Sequence, residues 1–200
     1  MRFKIFLGLI FTVLLIQGQD LNNRVLEIAN SYEGGGYKWS STGVPKTLVF
    51  KEQEILKKSK QGTFCSGYTF MVAFDALEET NKLDNLEVSD IKWLQHNWYG
   101  TNEKSAETQC LYSLEKLKLG VNVSHQEAKA GDFVQFWRNN KSGHSVVFLD
   151  WIKNEQGNIT GIKYRSTQKS TDGIGNRTET IGDAEKDIDI NRLYVVRLKG

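Results

Sequence analysis

Two short segments of the chain carry residues that suit nucleophilic catalysis. Cys65 lies within GTFCSGYTFMVAF (62–74), and His144 lies within AGDFVQFWRNNKSGHSVVFLDW (130–151). A thiol becomes a strong nucleophile once it loses its proton, and an imidazole can take that proton and later deliver it to a leaving group. This pair of residue types predicts a cysteine hydrolase, provided that the fold brings the two side chains together.

The residues after Cys65 predict a helix that begins at this thiol. Apolar side chains recur at helical spacing, at Phe70, Ala73, Phe74 and Leu77. Cys65 is therefore expected in the first turn, where unpaired backbone N–H groups and the helix dipole lower the pKa of a thiol. The small residues Ser66 and Gly67 leave room for a substrate, so both are predicted to contribute to its binding site.

The segment around His144 predicts antiparallel strands. Residues 133–137 are mainly aromatic or β-branched, a polar turn follows them, and His144 opens the next strand. The turn-rich residues 154–158 then lead into another strand at 159–168. These last two strands are predicted to form a hairpin.

The hairpin suggests a third catalytic residue. If it is symmetric about Gln156, Gln168 lies opposite His144, and Ser166 lies one diagonal step away on the same face. Gln168 is the preferred candidate, and Ser166 takes its place if a bulge shifts the register. A polar side chain at this position would orient the imidazole, as the third residue of a catalytic triad does.

Five features follow one another along the chain. They are a first helix at 21–32, a glycine-rich turn with Tyr37-Lys38-Trp39, Cys65-Ser66-Gly67 at a helix start, Gly131-Asp132-Phe133 at the opening of a sheet, and Gly143-His144. This ordered set resembles the NlpC/P60 group of papain-like cell-wall peptidases and the related CHAP amidases. The resemblance implies an α+β papain-like fold in which a central antiparallel sheet packs against the helix that bears the nucleophile. It also implies that the Tyr37 hydroxyl lies near Cys65 and the scissile carbonyl.

The chain departs from the family pattern in several places. Phe64 replaces the usual Asp before the nucleophile, Trp39-Ser40-Ser41 replaces Trp-Gly-Gly, and Gln168 stands where many members have His or Asn. The segment between Cys65 and the sheet is also longer than the minimal pattern. These differences concern substrate specificity more than the type of reaction.

The additional segment, residues 80–128, is predicted to contain two helices. One begins at Ser89 and places Ile91, Leu94 and Trp98 on one face; the other carries Leu111, Leu114 and Leu117 and stops at Gly120. The sequence leaves the role of this segment open, with shaping of the cleft as one possibility.

The first residues predict export of the protein. Residues 1–19 have a basic start, an apolar run of signal-peptide length, and small or polar residues after it. We expect a cleaved leader and a secreted or periplasmic protein, with no lipid anchor and no stable membrane insertion once the leader is removed. The alternative is an N-terminal anchor, although the run is shorter than the roughly 20 residues of a membrane span. Residues 20–200 then form a single catalytic domain.

Charge and the remaining cysteines and histidines restrict the other classes of function. The chain has 26 basic and 24 acidic residues, and removal of Arg2 and Lys4 with the leader makes it neutral, so no nucleic-acid partner is expected. Cys110 is predicted to be a buried structural thiol, although a disulfide with Cys65 is the alternative.

The other two histidines are predicted to have no catalytic role. We expect His96 in the core or cleft and His125 in an exposed first turn. Neither shows metal-ligand spacing, so no metal and no other cofactor are expected.

The predicted activity is hydrolysis of an amide through an acyl-enzyme. Cys65 attacks, His144 acts as base and then as acid, and Gln168 orients His144. The Cys65 backbone N–H and the Tyr37 hydroxyl stabilise the oxyanion. The family resemblance and export imply peptidoglycan stem or cross-bridge peptides as substrate, with an inhibitor or immunity protein as a possible partner.

Four aromatic residues are candidates for a substrate groove: Tyr32, Tyr37, Trp39 and Trp98. Two alternatives to the predicted activity remain open at this stage. One is a binding or structural module that keeps the fold without turnover. The other is a toxin or acyltransferase that uses the same residues on a different amide or ester.

Overall fold

The structure is a computed structural model that describes residues 21–200, so the predicted leader (1–19) lies outside the described residues. Within this range no helix is long and apolar enough to cross a membrane. The described range contains five α-helices: α1 (Leu21–Asn30), α2 (Cys65–Glu79), α3 (Val88–Trp98), α4 (Glu103–Ala106) and α5 (Cys110–Lys116). The strands are β1 (Gly34–Gly35), β2 (Leu48–Phe50), β3 (Gln53–Leu56), β4 (Gly120–Val123), β5 (Phe133–Arg138), β6 (Gly143–Lys153), β7 (Ile159–Gln168), β8 (Gly173–Thr180) and β9 (Ile188–Leu198).

Seven of these strands form one antiparallel sheet in the order β1-β8-β7-β6-β5-β9-β4, and β2 and β3 form a separate hairpin. Helix α2 packs against β6 and β7, near the middle of the large sheet. The expectation of a mixed α+β fold with an antiparallel sheet is therefore confirmed.

The hairpin of β6 and β7 has the register expected from its sequence symmetry near the site. Val147 pairs with Arg165 and Phe148 pairs with Tyr164, as they should if the hairpin is centred on Gln156. A bulge follows Phe148 and displaces the pairs of residues 150–152 by one residue, and a second irregularity after Ile152 restores the register at the pair of Lys153 and Ile159. The bulge lies on the turn side of these pairs, which leaves the end of the strands that carries His144 in the expected register.

The sheet buries apolar side chains on both faces. Alternate residues of a strand point to opposite faces, and the strands here are apolar at both sets of positions. Phe133 and Val147 join the larger core with α1, α2, α3 and α5. Phe136, Val146 and Phe148 belong to a second cluster formed largely by the strands themselves. Burial on both sides fixes the strand ends that carry the functional residues.

Helix α2 is buried along most of its length. Its residues from Ser66 to Leu77 are all buried, including residues between the helically spaced apolar positions. Gly67 packs against the loop before the helix, where an added Cβ would lie 2.5 Å from the Gly43 carbonyl carbon and 2.6 Å from the Thr42 oxygen. The prediction that Gly67 makes room for a substrate is therefore wrong, because the space beside it is filled by backbone.

The additional segment forms α3, α4, α5 and β4. Helix α3 begins earlier than predicted because Glu87, not Ser89, caps it: the Glu87 backbone N–H donates to Asp90 Oδ2 at 2.8 Å and the Glu87 side chain caps the helix in return. Helix α5 buries Leu111 and Leu114 as expected. It ends at Lys116, and β4 then joins the large sheet beside β9.

Asp132 joins three parts of the fold through a fully buried carboxylate. Its Oδ1 accepts from Asn22 of α1 and from Arg197 of β9, both at 2.8 Å. Its Oδ2 accepts from the Lys129 backbone at 2.8 Å and from Arg197 at 2.7 Å. Gly131 has a φ of +91°, and a Cβ there would lie 2.4 Å from the Asn22 carbonyl oxygen, so the residue before Asp132 must be glycine.

We expect Asp132→Ala to lower the free energy of unfolding by about 3 kcal/mol, because it leaves the partly buried Arg197 without its carboxylate. Denaturant unfolding followed by tryptophan fluorescence measures this change. Glu27→Ala is the control, because Glu27 belongs to an exposed ion pair with Arg24 and its loss should change stability by less than about 1 kcal/mol. Equal effects of the two substitutions would contradict the anchoring role of Asp132.

Candidate active site

The structure brings Cys65 and His144 into contact. Cys65 is the first residue of α2 and is partly exposed as a residue, while His144 is the second residue of β6 and is buried. The His144 imidazole lies close enough to the Cys65 sulfur for its charge and hydrogen bonding to lower the pKa of the thiol, and the Ser145 backbone acts in the same direction. The thiol and the imidazole are thus adjacent in the fold, although 79 positions separate them in the chain.

Gln168 lies on the opposite side of the imidazole. Its Oε1 is 3.4 Å from His144 Nε2, a long hydrogen bond. Because Nε2 is directed at Gln168, Nδ1 is the ring nitrogen that remains for Cys65. The Gln168 amide nitrogen donates to Thr171 Oγ1 at 2.7 Å, and the Thr171 hydroxyl donates to the Gly173 carbonyl at 2.6 Å. The Thr171 hydroxyl has a single proton and gives it to Gly173, so it can only accept a hydrogen bond from Gln168. This assigns the nitrogen of the Gln168 amide to the side of Thr171 and its oxygen to the side of His144.

Ser166, the other candidate for the third residue, has a different partner. Its hydroxyl donates to the Ser145 carbonyl at 2.7 Å, so it joins β7 to β6 behind the site. The bulge that would have favoured it lies farther along the hairpin, beyond Phe148. Gln168 is thus the candidate that the structure places against the imidazole.

The pKa of the Cys65 thiol is lowered from 9.0 to about 7. Burial alone would raise this pKa, because a thiolate is poorly solvated inside a protein. The charge of His144 and its hydrogen bond lower the pKa, and the bonds from the Ser145 backbone and the Ser66 hydroxyl act in the same direction. The net effect is a thiol that is about half ionised at neutral pH.

The start of α2 leaves its first backbone N–H groups without a side-chain cap. Phe64 occupies the N-cap position in extended conformation and provides no capping oxygen. Donors at the beginning of this helix are therefore free to bind a negatively charged group next to Cys65. The prediction of the Cys65 backbone N–H as an oxyanion donor is compatible with this arrangement.

Tyr37 is half-buried in the segment that precedes α2, where it forms a parallel bridge with Thr63. Burial raises the pKa of its hydroxyl, and the nearby charge of Cys65 raises it further. The hydroxyl is therefore protonated at neutral pH and lies within electrostatic range of the thiol. The family-based expectation that Tyr37 donates near the reacting carbonyl stays a prediction, and Tyr37 is not among the residues that line the cavity beside Cys65.

Thr69, one turn after Cys65, connects the helix start to the sheet. Its hydroxyl donates to the Cys65 carbonyl at 2.9 Å and lies 3.0 Å from the Ser145 hydroxyl. Trp98 of α3 donates its indole N–H to the same oxygen at 3.0 Å. Trp98 is fully buried, so the suggestion that it lines a substrate groove is wrong; it supports Thr69 instead.

Aromatic rings and an ion pair surround the buried side of the imidazole. The rings of Phe136 and Tyr164 lie edge-on to His144, with centroids at 5.7 and 5.5 Å. The Tyr164 hydroxyl donates to Glu179, which Arg138 also binds with two hydrogen bonds of 2.7 Å. This cluster could not be predicted, because nothing in the sequence indicates that β8 would bring Glu179 behind His144.

A cavity of about 330 Å³ opens beside the thiol. Of the predicted binding residues, Trp39 and Ser66 line it and Gly67 does not. The additional segment contributes Tyr99, Thr101 and Gln109 to the wall. The other lining residues are Phe64, Cys65, Gln135, Trp137, Gly143, His144 and Ser145. Residues 80–128 thus shape the cleft beside Cys65, the possibility that the sequence left open.

The other cysteine and histidines lie apart from this site. Cys65 and Cys110 are both free, so the alternative of a disulfide between them is wrong. Cys110 is buried, and burial raises the pKa of its thiol to about 12. His96 is exposed on α3, not in the core or cleft, and His125 is half-buried against the Leu193 carbonyl, not fully exposed. Residues 21–200 contain no group of three or more His, Cys, Asp or Glu suited to a metal ion.

We expect alkylation of the folded protein by iodoacetamide to be confined to Cys65 and to rise with pH through a midpoint near 7. Below this pH the thiol is protonated and reacts slowly with iodoacetamide, and above it the reactive thiolate predominates. In His144→Ala the midpoint should move upward, because burial remains while the charge and hydrogen bond of His144 are lost. Mass spectrometry of the two cysteine peptides over a pH series measures both effects.

The same experiment in denaturant is the control, because both thiols should then titrate near the ordinary cysteine value of about 8.5. An unchanged midpoint in His144→Ala would show that the imidazole does not activate the thiol.

Comparisons with known proteins found no relative: no protein-family model, no curated protein and no solved structure matches the chain. The case for a function therefore depends on the residues of the site and their geometry.

Proposed function

We propose that the protein is a secreted cysteine hydrolase that cleaves amide bonds, with peptidoglycan stem or cross-bridge peptides as its substrate. The observation that carries the proposal is Cys65 at the start of α2, next to His144 in the lining of one cavity, with a thiol pKa lowered to about 7. A structural cysteine needs none of these features, as Cys110 illustrates. The order of helix, thiol, sheet and imidazole also supports a papain-like NlpC/P60 arrangement.

In the proposed mechanism His144 moves the proton. Nδ1 takes the proton of Cys65, and the thiolate attacks the substrate carbonyl to give a tetrahedral intermediate. The imidazolium then delivers the proton to the departing amine, which leaves a thioester on Cys65. Water, deprotonated by the same imidazole, hydrolyses the thioester and restores the thiol. Gln168 accepts from Nε2 throughout, which stabilises the imidazolium and fixes its orientation.

Two groups are proposed to stabilise the oxyanion of the intermediate. One is the Cys65 backbone N–H at the uncapped start of α2, and the other is the Tyr37 hydroxyl. Preorganised donors of this kind act where the negative charge develops and contribute strongly to catalysis. The positive end of the α2 dipole favours the same charge.

The substrate assignment follows from the family resemblance and the predicted leader. The indole of Trp39 is 73 % exposed at the cavity, a suitable surface for a peptide or glycan, and Trp137 provides a second indole in the lining. The neutral charge of the chain after its leader favours a peptide over a nucleic acid. An inhibitor or immunity protein that covers this cleft is a possible partner of a cell-wall hydrolase.

The alternative of a binding module without turnover has less support. It was based on Cys65 being inert or paired in a disulfide, whereas Cys65 is free, partly exposed and next to an imidazole. A toxin or acyltransferase would use the same thioester, so the substrate experiment below separates it from a cell-wall hydrolase.

We expect the purified protein, without its leader, to release peptide fragments from bacterial sacculi, and Cys65→Ala and His144→Ala to release them at least about 10³-fold more slowly. Mass spectrometry of the fragments identifies the bond that is cut. Cys110→Ser serves as the matched thiol control and should retain activity wherever it folds. If no sacculus, whatever its stem chemistry, is cut by the parent protein, the peptidoglycan assignment fails.

We expect Gln168→Leu to lower kcat about 10-fold with little effect on stability. A hydrogen bond to a charged group contributes about 1.5–3 kcal/mol, and the long distance to Nε2 favours the lower end of that range. Steady-state kinetics on a released stem peptide measures kcat and KM separately. Gln126→Leu, at an exposed position on the 3₁₀ turn after β4, is the control. A kcat that is unchanged in Gln168→Leu would remove Gln168 from the mechanism.

A further inference from the structure

Gln135 has a buried hydrogen-bond acceptor without a partner. The residue lies in β5, lines the cavity beside Cys65, and is only 1 % exposed. Its Nε2 donates to the Phe136 carbonyl at 3.3 Å. Its Oε1, by contrast, is the one buried side-chain nitrogen or oxygen within residues 21–200 that has no hydrogen-bond partner. Such atoms are rare because leaving a buried acceptor unpaired is energetically unfavourable.

The strand neighbours of Gln135 cannot supply the missing donor. Ser145 and Tyr194 lie directly across from it on β6 and β9. The Ser145 hydroxyl is engaged with Thr69, and the Tyr194 hydroxyl donates to Glu107 at 3.0 Å. Oε1 therefore stays without a donor from these neighbours, and an occupant of the cavity that Gln135 lines can supply one.

The character of the cavity wall restricts what that occupant can be. Among the described residues that line it, none is Lys, Arg, Asp or Glu. Apart from the reacting pair, its side-chain polar groups are hydroxyls, amides and indoles, such as those of Ser66, Thr101 and Gln109. A carboxylate placed here would lose its hydration and find no Lys or Arg, whereas a neutral group would lose much less.

We infer that Gln135 is a specificity residue, which accepts an N–H of a carboxamide, or a similar neutral donor, on the substrate next to the scissile bond. A carboxamide offers two N–H donors, and one of them satisfies Oε1. A carboxylate offers only acceptors, so its oxygen and Oε1 would repel each other at a buried position. This inference rests on the proposed hydrolase function and adds that amidated peptides are preferred to their free-acid counterparts.

Paired synthetic stem peptides test the inference. The two members differ only in whether the carboxyl group next to the cleaved bond is free or amidated. We expect the parent protein to cleave the amide at least about 10-fold faster in kcat/KM, and this ratio to fall at least about 10-fold in Gln135→Met. Met has a similar volume and removes the unpaired acceptor, so the variant should fold; Gln126→Met is the surface control and should keep the parent ratio. A ratio that Gln135→Met leaves unchanged overturns the inference.

A second measurement does not depend on turnover. In a Cys110→Ser background, the alkylation rates of Cys65 by iodoacetamide and by iodoacetate are compared, each divided by the rate for a free thiol. His144 attracts iodoacetate equally in the parent and in Gln135→Met. A difference between the two proteins in the ratio of the iodoacetamide rate to the iodoacetate rate therefore reports the effect of Gln135 alone. A lower amide-to-acid ratio in Gln135→Met supports the inference, and an unchanged ratio overturns it.

The two measurements separate the failure of each proposal. If no stem peptide is cleaved, the peptidoglycan assignment fails and the alkylation ratio alone decides the role of Gln135. If the peptides are cleaved, their ratio decides it.

Discussion

The site depends on the docking of the α2 N-terminus against the first residues of β6. Thr69 is the centre of this contact, because a single hydroxyl oxygen meets the Cys65 carbonyl, the Ser145 hydroxyl and the Trp98 indole. The sulfur lies at one end of this connection, and the imidazole that activates it lies at the other. Small residues make the approach possible, since the backbone before α2 occupies the space where a side chain at position 67 would be. The lowered pKa of the Cys65 thiol is therefore a consequence of how a helix meets a sheet.

The electrostatics of the site are a balance between burial and pairing. Burial of the thiol opposes ionisation, and only the nearby imidazole with two further hydrogen bonds reverses the effect. His144 in turn is held by Gln168 on one side and by two aromatic rings on another. Among the described residues that line the cavity next to this pair, none is Lys, Arg, Asp or Glu, so the thiol and the imidazole have neutral neighbours there. In such a neutral cavity, the unpaired side-chain oxygen of Gln135 is an important feature for the choice of a bound group.

Local patterns in the sequence predicted the parts of the site that depend on short-range order. The apolar spacing after Cys65 gave the helix start correctly, and the symmetry of the β6–β7 hairpin gave the register that places Gln168 at His144. Features that depend on distant packing could not be predicted in this way. Gly67 meets the loop at Thr42 and Gly43, Trp98 turns inward to Thr69, and Glu179 reaches the back of the site from β8. The unpaired oxygen of Gln135 could not be predicted either, because its surroundings are formed by β5 together with its neighbours β6 and β9.

The central claim is that Cys65 forms a covalent bond with the substrate carbonyl. Rapid mixing of the protein with a cleavable stem peptide, quenching in acid, and mass spectrometry of the fragment that carries Cys65 test this directly. We expect a transient mass increase on Cys65 equal to the acyl part of the substrate, which disappears as the free acid is released. Release of product with no adduct on Cys65 at any time, or with an adduct on another residue, would contradict it.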